Sequence, residues 1–292
     1  MQDFAYHRPL SLNDALSALA GEGARALAGG TDLVAQLREG RRTAAHVVDI
    51  KRISGLSSIE VHADGGATIG AAASATVIAA HPYIAKHFPA VTQACRLIGS
   101  WQIQNRATLG GNVCNAAPSA DGIPPLICLG AIARVASKTG QRDIPVETLF
   151  TGPGRTTLAP GEILTALHLP LPRPRSAAAY LRFTPRREMD IAIAGVGVWI
   201  QLDATGRVEA TRIALASVAP TPVRAPAAEQ ALLGQSPSGI LLERAGALAA
   251  SDARPISDMR GSADYRRHLV DVLTRRALSA CLHHLEITVD AP

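Results

Sequence analysis

Between Leu169 and Arg175 the chain reads Leu-Pro-Leu-Pro-Arg-Pro-Arg. Each proline lacks a backbone N–H and fixes φ, so neither a helix nor a central strand can run through this stretch. The segments on its two sides must satisfy their backbone groups separately. The expected division is therefore a first domain over 1–174 and a second over 175–292. At 292 residues and 47% apolar content the chain has material for two cores, and with aromatics at 3% Ala, Leu, Val and Ile must fill them.

In the first part Ser11 and Asp14 stand at capping-box spacing ahead of an Ala/Leu helix that Gly21 and Gly23 end. A short strand over 25–28 then runs into a glycine pair, a helix from Leu33 and a second apolar strand over 46–50. This unit gives a first subdomain of about 1–55. The second subdomain, about 56–174, opens on strands 59–61 and 67–69 joined by the turn Asp64-Gly65-Gly66. Helices over 74–80 and 89–98 come next, then a Gly-, Asn- and Pro-rich loop over 99–125, and strands over 131–137, 141–144 and 163–169.

After the proline segment, strands are expected at 178–183, 191–202 and 208–218, the last two joined by a turn at 203–206. Helices are expected over 226–233, 239–250 and 262–285. Strands succeeded by helices predict a three-stranded antiparallel sheet covered by helices, so the overall class is α+β, with α/β units in the first part.

The formal charge is +5, but basic residues are scattered and not interleaved with aromatics, which argues against nucleic acid. The longest apolar run, near 191–200, is shorter than the roughly 18 residues of a membrane span, and residues 1–10 hold no signal-like apolar core. A cytoplasmic chain with no membrane span is expected. Cys95, Cys114, Cys128 and Cys281 form no C-x-x-C pair and have no His at ligand spacing, so no metal site is expected; His283 and His284 read as surface residues near a helix end.

Two glycine-rich turns carry the chemistry: Ala28 to Leu33 (AGGTDL) and Thr108 to Asn112 (TLGGN). In the first, a strand feeds a helix whose initial N–H groups lack internal partners, which makes an anion site. In the second, Gly110 and Gly111 can form a nest of N–H donors beside the Thr108 hydroxyl and the Asn112 amide. Together they could hold the two phosphates of a dinucleotide; each alone is more commonly a turn device. Neither is a G-x-G-x-x-G or Walker sequence, which argues against a nicotinamide-binding Rossmann domain or a P-loop enzyme.

With these turns in place, the sequence resembles the FAD-binding medium subunit of the molybdenum hydroxylases, the xanthine dehydrogenase and carbon monoxide dehydrogenase family. The resemblance rests on AGGTDL at 28–33, IGSWQIQN at 98–105, TLGGN at 108–112, NAAPSAD at 115–121, FTGPGR at 150–155, GEIL at 161–164, RREMDIA at 186–192 and SADYRR at 262–267. It covers essentially the whole chain. It implies noncovalent FAD in a PCMH-type domain of two α/β subdomains, succeeded by a C-terminal domain of carbon monoxide dehydrogenase flavoprotein type. By the same resemblance Leu27, Ala28, Gly29, Gly30, Thr31, Asp32 and Leu33, with Ala107, Thr108, Gly110, Gly111 and Asn112, cradle the diphosphate. Ile98 packs on the adenine, Asn115 and Asp121 bind the ribose and ribityl region, and Leu164 and Arg182 lie against the isoalloxazine.

For Leu164 core packing is the competing reading, and for Arg182 a solvated strand-edge charge. Asp32 would cap its helix or point away from the phosphates; Asp190 would bond the flavin edge or brace the Arg186-Arg187 loop. The family often has Arg at Gln104 and Lys at Arg182, Trp101 is unusual, and a cysteine-bearing insertion of some relatives is absent. The resemblance further implies an electron-transfer subunit with no catalytic residue of its own, and a heterotrimer with an iron–sulfur small subunit carrying [2Fe-2S] clusters and a molybdopterin large subunit. The external acceptor would be NAD, quinone or oxygen. The alternative is a self-contained FAD-dependent reductase or oxidase of the same fold, for which no acid/base constellation stands out. A module that has lost its flavin is disfavoured by the intact turns.

Overall fold

A computed structural model describes residues 2–289. The chain opens with β1 (Ala5–His7), α1 (Leu12–Leu19), β2 (Ala24–Leu27), α2 (Leu33–Arg38) and β3 (His46–Asp49). Each connection between strands carries a helix, so the sheet is parallel, in the order β1-β3-β2. Ser11 caps α1 as its spacing predicts: its hydroxyl accepts from the Asp14 N–H at 3.1 Å and donates to the Asp14 carboxylate. β1 is not among the expected elements; three half-exposed residues carry no readable period.

Next come β4 (Ile59–Val61), β5 (Ala67–Gly70), α3 (Ala75–Ala80), α4 (Pro82–His87), α5 (Pro89–Leu97), α6 (Trp101–Gln104), α7 (Leu109–Asn115), α8 (Ile123–Cys128), β6 (Ile132–Ser137), β7 (Gly140–Pro145), β8 (Phe150–Gly152), β9 (Arg155–Thr156) and β10 (Ile163–Leu169). Five of these strands form an antiparallel sheet, β4-β5-β10-β6-β7. Its core holds Ile69, Ile78, Leu109, Val113, Ile123, Leu126 and Leu167.

The stretch expected to be a loop over 99–125 instead contains α6, α7 and the start of α8. Helices of four to seven residues are too short to show a 3.6-residue period. Pro124 and Pro125, which read as loop residues, fall in the first turn of α8, where the missing N–H costs nothing.

The remainder is β11 (Ser176–Phe183), β12 (Ala194–Leu202), β13 (Val208–Ala216), β14 (Val223–Arg224), α9 (Pro226–Leu232), α10 (Gly239–Asp252) and α11 (Ala263–His284). The three long strands form the expected antiparallel sheet, and the two-residue β14 adds a fourth at its edge. On one face α10 and α11 bury Val196, Val198, Ile213 and Leu215 against Ala245, Val270 and Ala277. The other face meets the first part of the chain. All six residues of α8 are buried, and α8 lies so close to β12 that a Cβ on Gly197 would stand 3.0 Å from the Pro124 carbonyl carbon. The alternation along β11 divides the two faces. Ala177 and Ala179 join the helical core, while Tyr180 packs on Ala90 and Ala94 of α5.

Candidate cofactor-binding site

After β2 the chain turns through Ala28, Gly29 and Gly30 into α2. Gly30 adopts φ +80°, a conformation that suits glycine. The first helical bonds are Val34 N to Gly30 O and Gln36 N to Asp32 O. The N–H groups of Gly29, Gly30, Thr31, Asp32 and Leu33 have no hydrogen-bond acceptor among the described residues. Leu27 and Leu33 anchor the two sides of this turn by packing with Leu37 and Val47.

The second turn differs from the expected nest. Gly110 and Gly111 are helical residues of α7 without positive φ, so their N–H groups belong to a helix start. Thr108 is the N-cap, its hydroxyl accepting from the Gly111 N–H at 2.9 Å, and Ala107 is tied to Ala75 by an N–H···O bond of 2.8 Å. The glycines serve close approach. A Cβ on Gly110 would stand 2.5 Å from the Ala71 carbonyl oxygen, and one on Gly29 would overlap the Arg106 carbonyl. Gly111 is more open, with the Thr108 hydroxyl and the Ala28 methyl nearest. The turns thus touch each other directly, and the crevice along this contact is flanked by the unpaired N–H groups of 29–33 and by those of Leu109 and Gly110, which likewise have no acceptor among the described residues. Gln36 of α2, to which no sequence motif points, ties that crevice together by donating to Asn115 Oδ1 at 3.0 Å.

Several expected contacts take other partners. Asn112 Oδ1 accepts from the Gly122 N–H at 3.0 Å and braces the 112–122 segment, leaving its NH₂ as the remaining donor. Asn115 likewise keeps only its NH₂ free of Gln36. Asp32 occupies the N-cap position but makes no capping bond, so it does not cap α2. It stays accessible at the crevice, where surrounding protein pushes its carboxyl above the usual range against the pull of Arg41 and Arg42. Ile98 ends α5, half-buried against the core. Leu164 is 3% exposed inside the core, so here it is a packing residue rather than an open shelf. Gln104 is also buried and donates to the Arg96 carbonyl at 2.8 Å. Asp190 braces its own loop, accepting from the Arg186 N–H at 3.0 Å.

Arg182 is not a solvated strand-edge charge. Its guanidinium is buried on β11 in an ion pair with Asp121, whose other oxygen accepts from the Tyr180 hydroxyl at 2.7 Å. Tyr180 and Arg182 are two residues apart on one strand and so share the face that meets Asp121. Burial pushes the Asp121 carboxyl up to about 6, with Arg182 and Tyr180 opposing, and holds the Tyr180 phenol well above its ordinary value. Arg182 Nε is buried without a partner. A row of unpaired N–H groups suits a diphosphate, and an orphaned guanidinium N–H suits a ring carbonyl, so these residues fit FAD.

Comparison with known proteins agrees. The FAD-binding domain of molybdopterin dehydrogenases matches residues 2–172, and the carbon monoxide dehydrogenase flavoprotein C-terminal domain matches residues 179–281. The chain is 36% identical over 283 residues to the xanthine dehydrogenase FAD-binding subunit of Escherichia coli O157:H7, covering 96% of each chain. It is 34% identical over 278 residues to the carbon monoxide dehydrogenase medium chain of Afipia carboxidovorans, covering 94% of this chain and 95% of that one. Among solved structures, a chain of the carbon monoxide dehydrogenase from Hydrogenophaga pseudoflava superposes with a TM-score of 0.92 at 31% identity, over 97% of this chain and 98% of the other. A chain of quinoline 2-oxidoreductase from Pseudomonas putida 86 gives 0.90 at 27%, with 97% and 98% covered. Two glycine turns in direct contact, with a buried Asp121–Arg182 pair joining the first domain to the C-terminal sheet, thus occur in a chain that belongs to the FAD-binding medium subunits of the molybdenum hydroxylases, a family of oxidoreductase subunits.

Proposed function

We propose that the chain holds FAD noncovalently as the relay between the [2Fe-2S] clusters of a small partner subunit and an external acceptor, NAD, quinone or oxygen. A third, molybdopterin-bearing subunit oxidises the organic substrate. The crevice between the two glycine turns carries the reading, with support from relatives that are medium chains of multi-subunit dehydrogenases. When bound, FAD supplies the exchange between one- and two-electron transfer. The chain's own part is positional. The N–H groups of 29–33 and of Leu109 and Gly110 bind the diphosphate, Arg182 offers Nε to the ring, and Asp121 holds that guanidinium in place. The division into 1–174 for FAD and 175–292 for the second domain belongs to the same reading, with the two domains meeting where Asp121 receives Tyr180 and Arg182.

The purified chain should take up one equivalent of FAD in a fluorescence titration and should not be bleached by an organic substrate without partners. Bleaching by the chain alone would favour the self-contained reductase. The partner contact is assigned to the loop after β11. Arg186 and Arg187 are exposed there, and the loop is held in shape by Asp190 and by a bond from the Met189 N–H to the Gly99 carbonyl at 3.3 Å. Arg186→Glu combined with Arg187→Glu should weaken co-purification with the iron–sulfur subunit while FAD stays bound, because charge reversal at a rim acts on association. Normal assembly and cluster-to-flavin transfer in the double variant would reject this contact.

A further inference from the structure

We propose that Lys51 is a positioning residue of this site: its ammonium group fixes the Ala28–Gly29 peptide so that the Gly29 N–H is presented to the diphosphate of FAD. The inference rests on the FAD reading and adds a residue outside both glycine turns. The β2–β3 ladder closes with Leu27 opposite Asp49 and with the Ile50 N–H donating to the Leu27 carbonyl at 3.1 Å. The next carbonyl along, that of Ala28, has no strand partner and is taken instead by Lys51 Nζ at 3.0 Å. In a trans peptide the C=O and N–H point in opposite directions, and the described chain contains no cis bond. Holding the Ala28 oxygen towards Lys51 therefore aims the Gly29 N–H the other way. That N–H has no acceptor among the described residues.

Lys51 is itself anchored. Its ammonium lies 2.7 Å from Asp49 Oδ1, which also accepts the Lys51 backbone N–H at 3.0 Å, and Asp49 Oδ2 accepts from the Tyr6 hydroxyl at 2.6 Å. Asp49 is 5% exposed; burial favours its neutral form, but Lys51 and Tyr6 outweigh this and hold its carboxyl below the usual range. A connected series thus runs from β1 through β3 to the first residue of the glycine turn. The residue type fits the task. An ammonium has three donors at tetrahedral angles, enough to serve a carboxylate and a carbonyl together, whereas a planar guanidinium prefers a fork-shaped acceptor. Lys51 is one of three lysines in a chain whose other basic residues are arginines.

The test measures FAD affinity of the full chain at low and at physiological ionic strength, with thermal melting of the flavin-free protein alongside. Lys51→Met, which keeps the aliphatic stem, should lower FAD affinity by about tenfold or more and flatten its ionic-strength dependence; its melting temperature falls as well, because Asp49 loses its cation, so affinity is read at a temperature where the flavin-free variant is fully folded. Lys51→Arg, which keeps the charge but not the tetrahedral donors, should recover the ionic-strength dependence and only part of the affinity. Should the Met variant not fold, Lys51→Gln carries the same comparison. The proposal is overturned if the Met or Gln variant binds FAD as the unaltered chain does, or if a folded Arg variant loses as much affinity as the uncharged one. Failure of the unaltered chain to bind FAD would overturn the flavin reading itself, and is visible before any variant is made.

Discussion

Gly29→Ala is expected to weaken FAD binding by about 1–3 kcal/mol, or about five- to 150-fold in Kd, while the flavin-free chain stays folded. The added Cβ would overlap the carbonyl of Arg106. That carbonyl cannot swing aside, because the next residue is pinned on both sides: the Ala107 N–H donates to the Ile103 carbonyl at 2.6 Å, and the Ala107 carbonyl accepts from the Ala75 N–H at 2.8 Å. Relief must come from the first turn, which carries the row of unpaired N–H groups. Gly111→Ala is the control. Its Cβ would meet the Thr108 hydroxyl at 2.8 Å and little else, so the loss is a helix cap, about 1 kcal/mol. FAD fluorescence titration of the two variants separates these effects. Equal affinities would mean that contact between the turns does not govern the crevice.

Asp121→Ala should destabilise the chain by about 3–5 kcal/mol in chemical denaturation, since it leaves the buried Arg182 charge without a partner. Tyr180→Phe removes one hydrogen bond to the same carboxylate and should cost about 1–3 kcal/mol. The pair also sets a pH dependence. Burial raises the Asp121 carboxyl from 3.8 to about 6, so as the pH falls the folded chain takes up this proton before the unfolded one does. The contribution of Asp121 to stability therefore falls as the pH rises from about 4 to about 6 and is flat above that. Asp121→Asn cannot titrate, and the difference in stability between the two proteins should change across this window. Parallel profiles for wild type and Asp121→Asn from pH 4 to 6 would show that the carboxyl is not raised.

Much of the architecture was legible where a chemical signal is local. Ser11 announces a helix because its hydroxyl accepts an N–H three residues on, and Ser74 and Ser262, where two other expected helices begin, cap theirs in the same way. Asp64-Gly65-Gly66 announces a hairpin because Gly65 takes φ +91° and Asp64 Oδ1 accepts from the Gly66 N–H at 2.8 Å. What stayed hidden was short or distant. β1 is a strand because β3 lies beside it, and the helices between 99 and 128 are one or two turns long and held by burial. At the site, the family resemblance singled out Asp121 and Arg182, but nothing local reveals that they bind each other across about sixty residues, or that Tyr180 joins them. The glycines have a second reason that the sequence does not display. Contact between backbones, visible only once both turns are folded, by itself requires glycine at Gly29 and Gly110.

The alternation along β11 has a consequence for how this chain tolerates changes in length. Tyr180 and Arg182 face Asp121 because they lie an even number of positions from every other residue on that face, while Ala177 and Ala179 face the helices. Inserting or deleting one residue between Ser176 and Tyr180 would exchange the two sets, putting a guanidinium against an apolar helix and alanines against a carboxylate. The same change a few residues earlier, among the prolines from Pro170 to Pro174, leaves the phase of the strand intact. Gaps between related chains should therefore collect in the proline segment and stop at β11, where parity rather than residue type is the constraint.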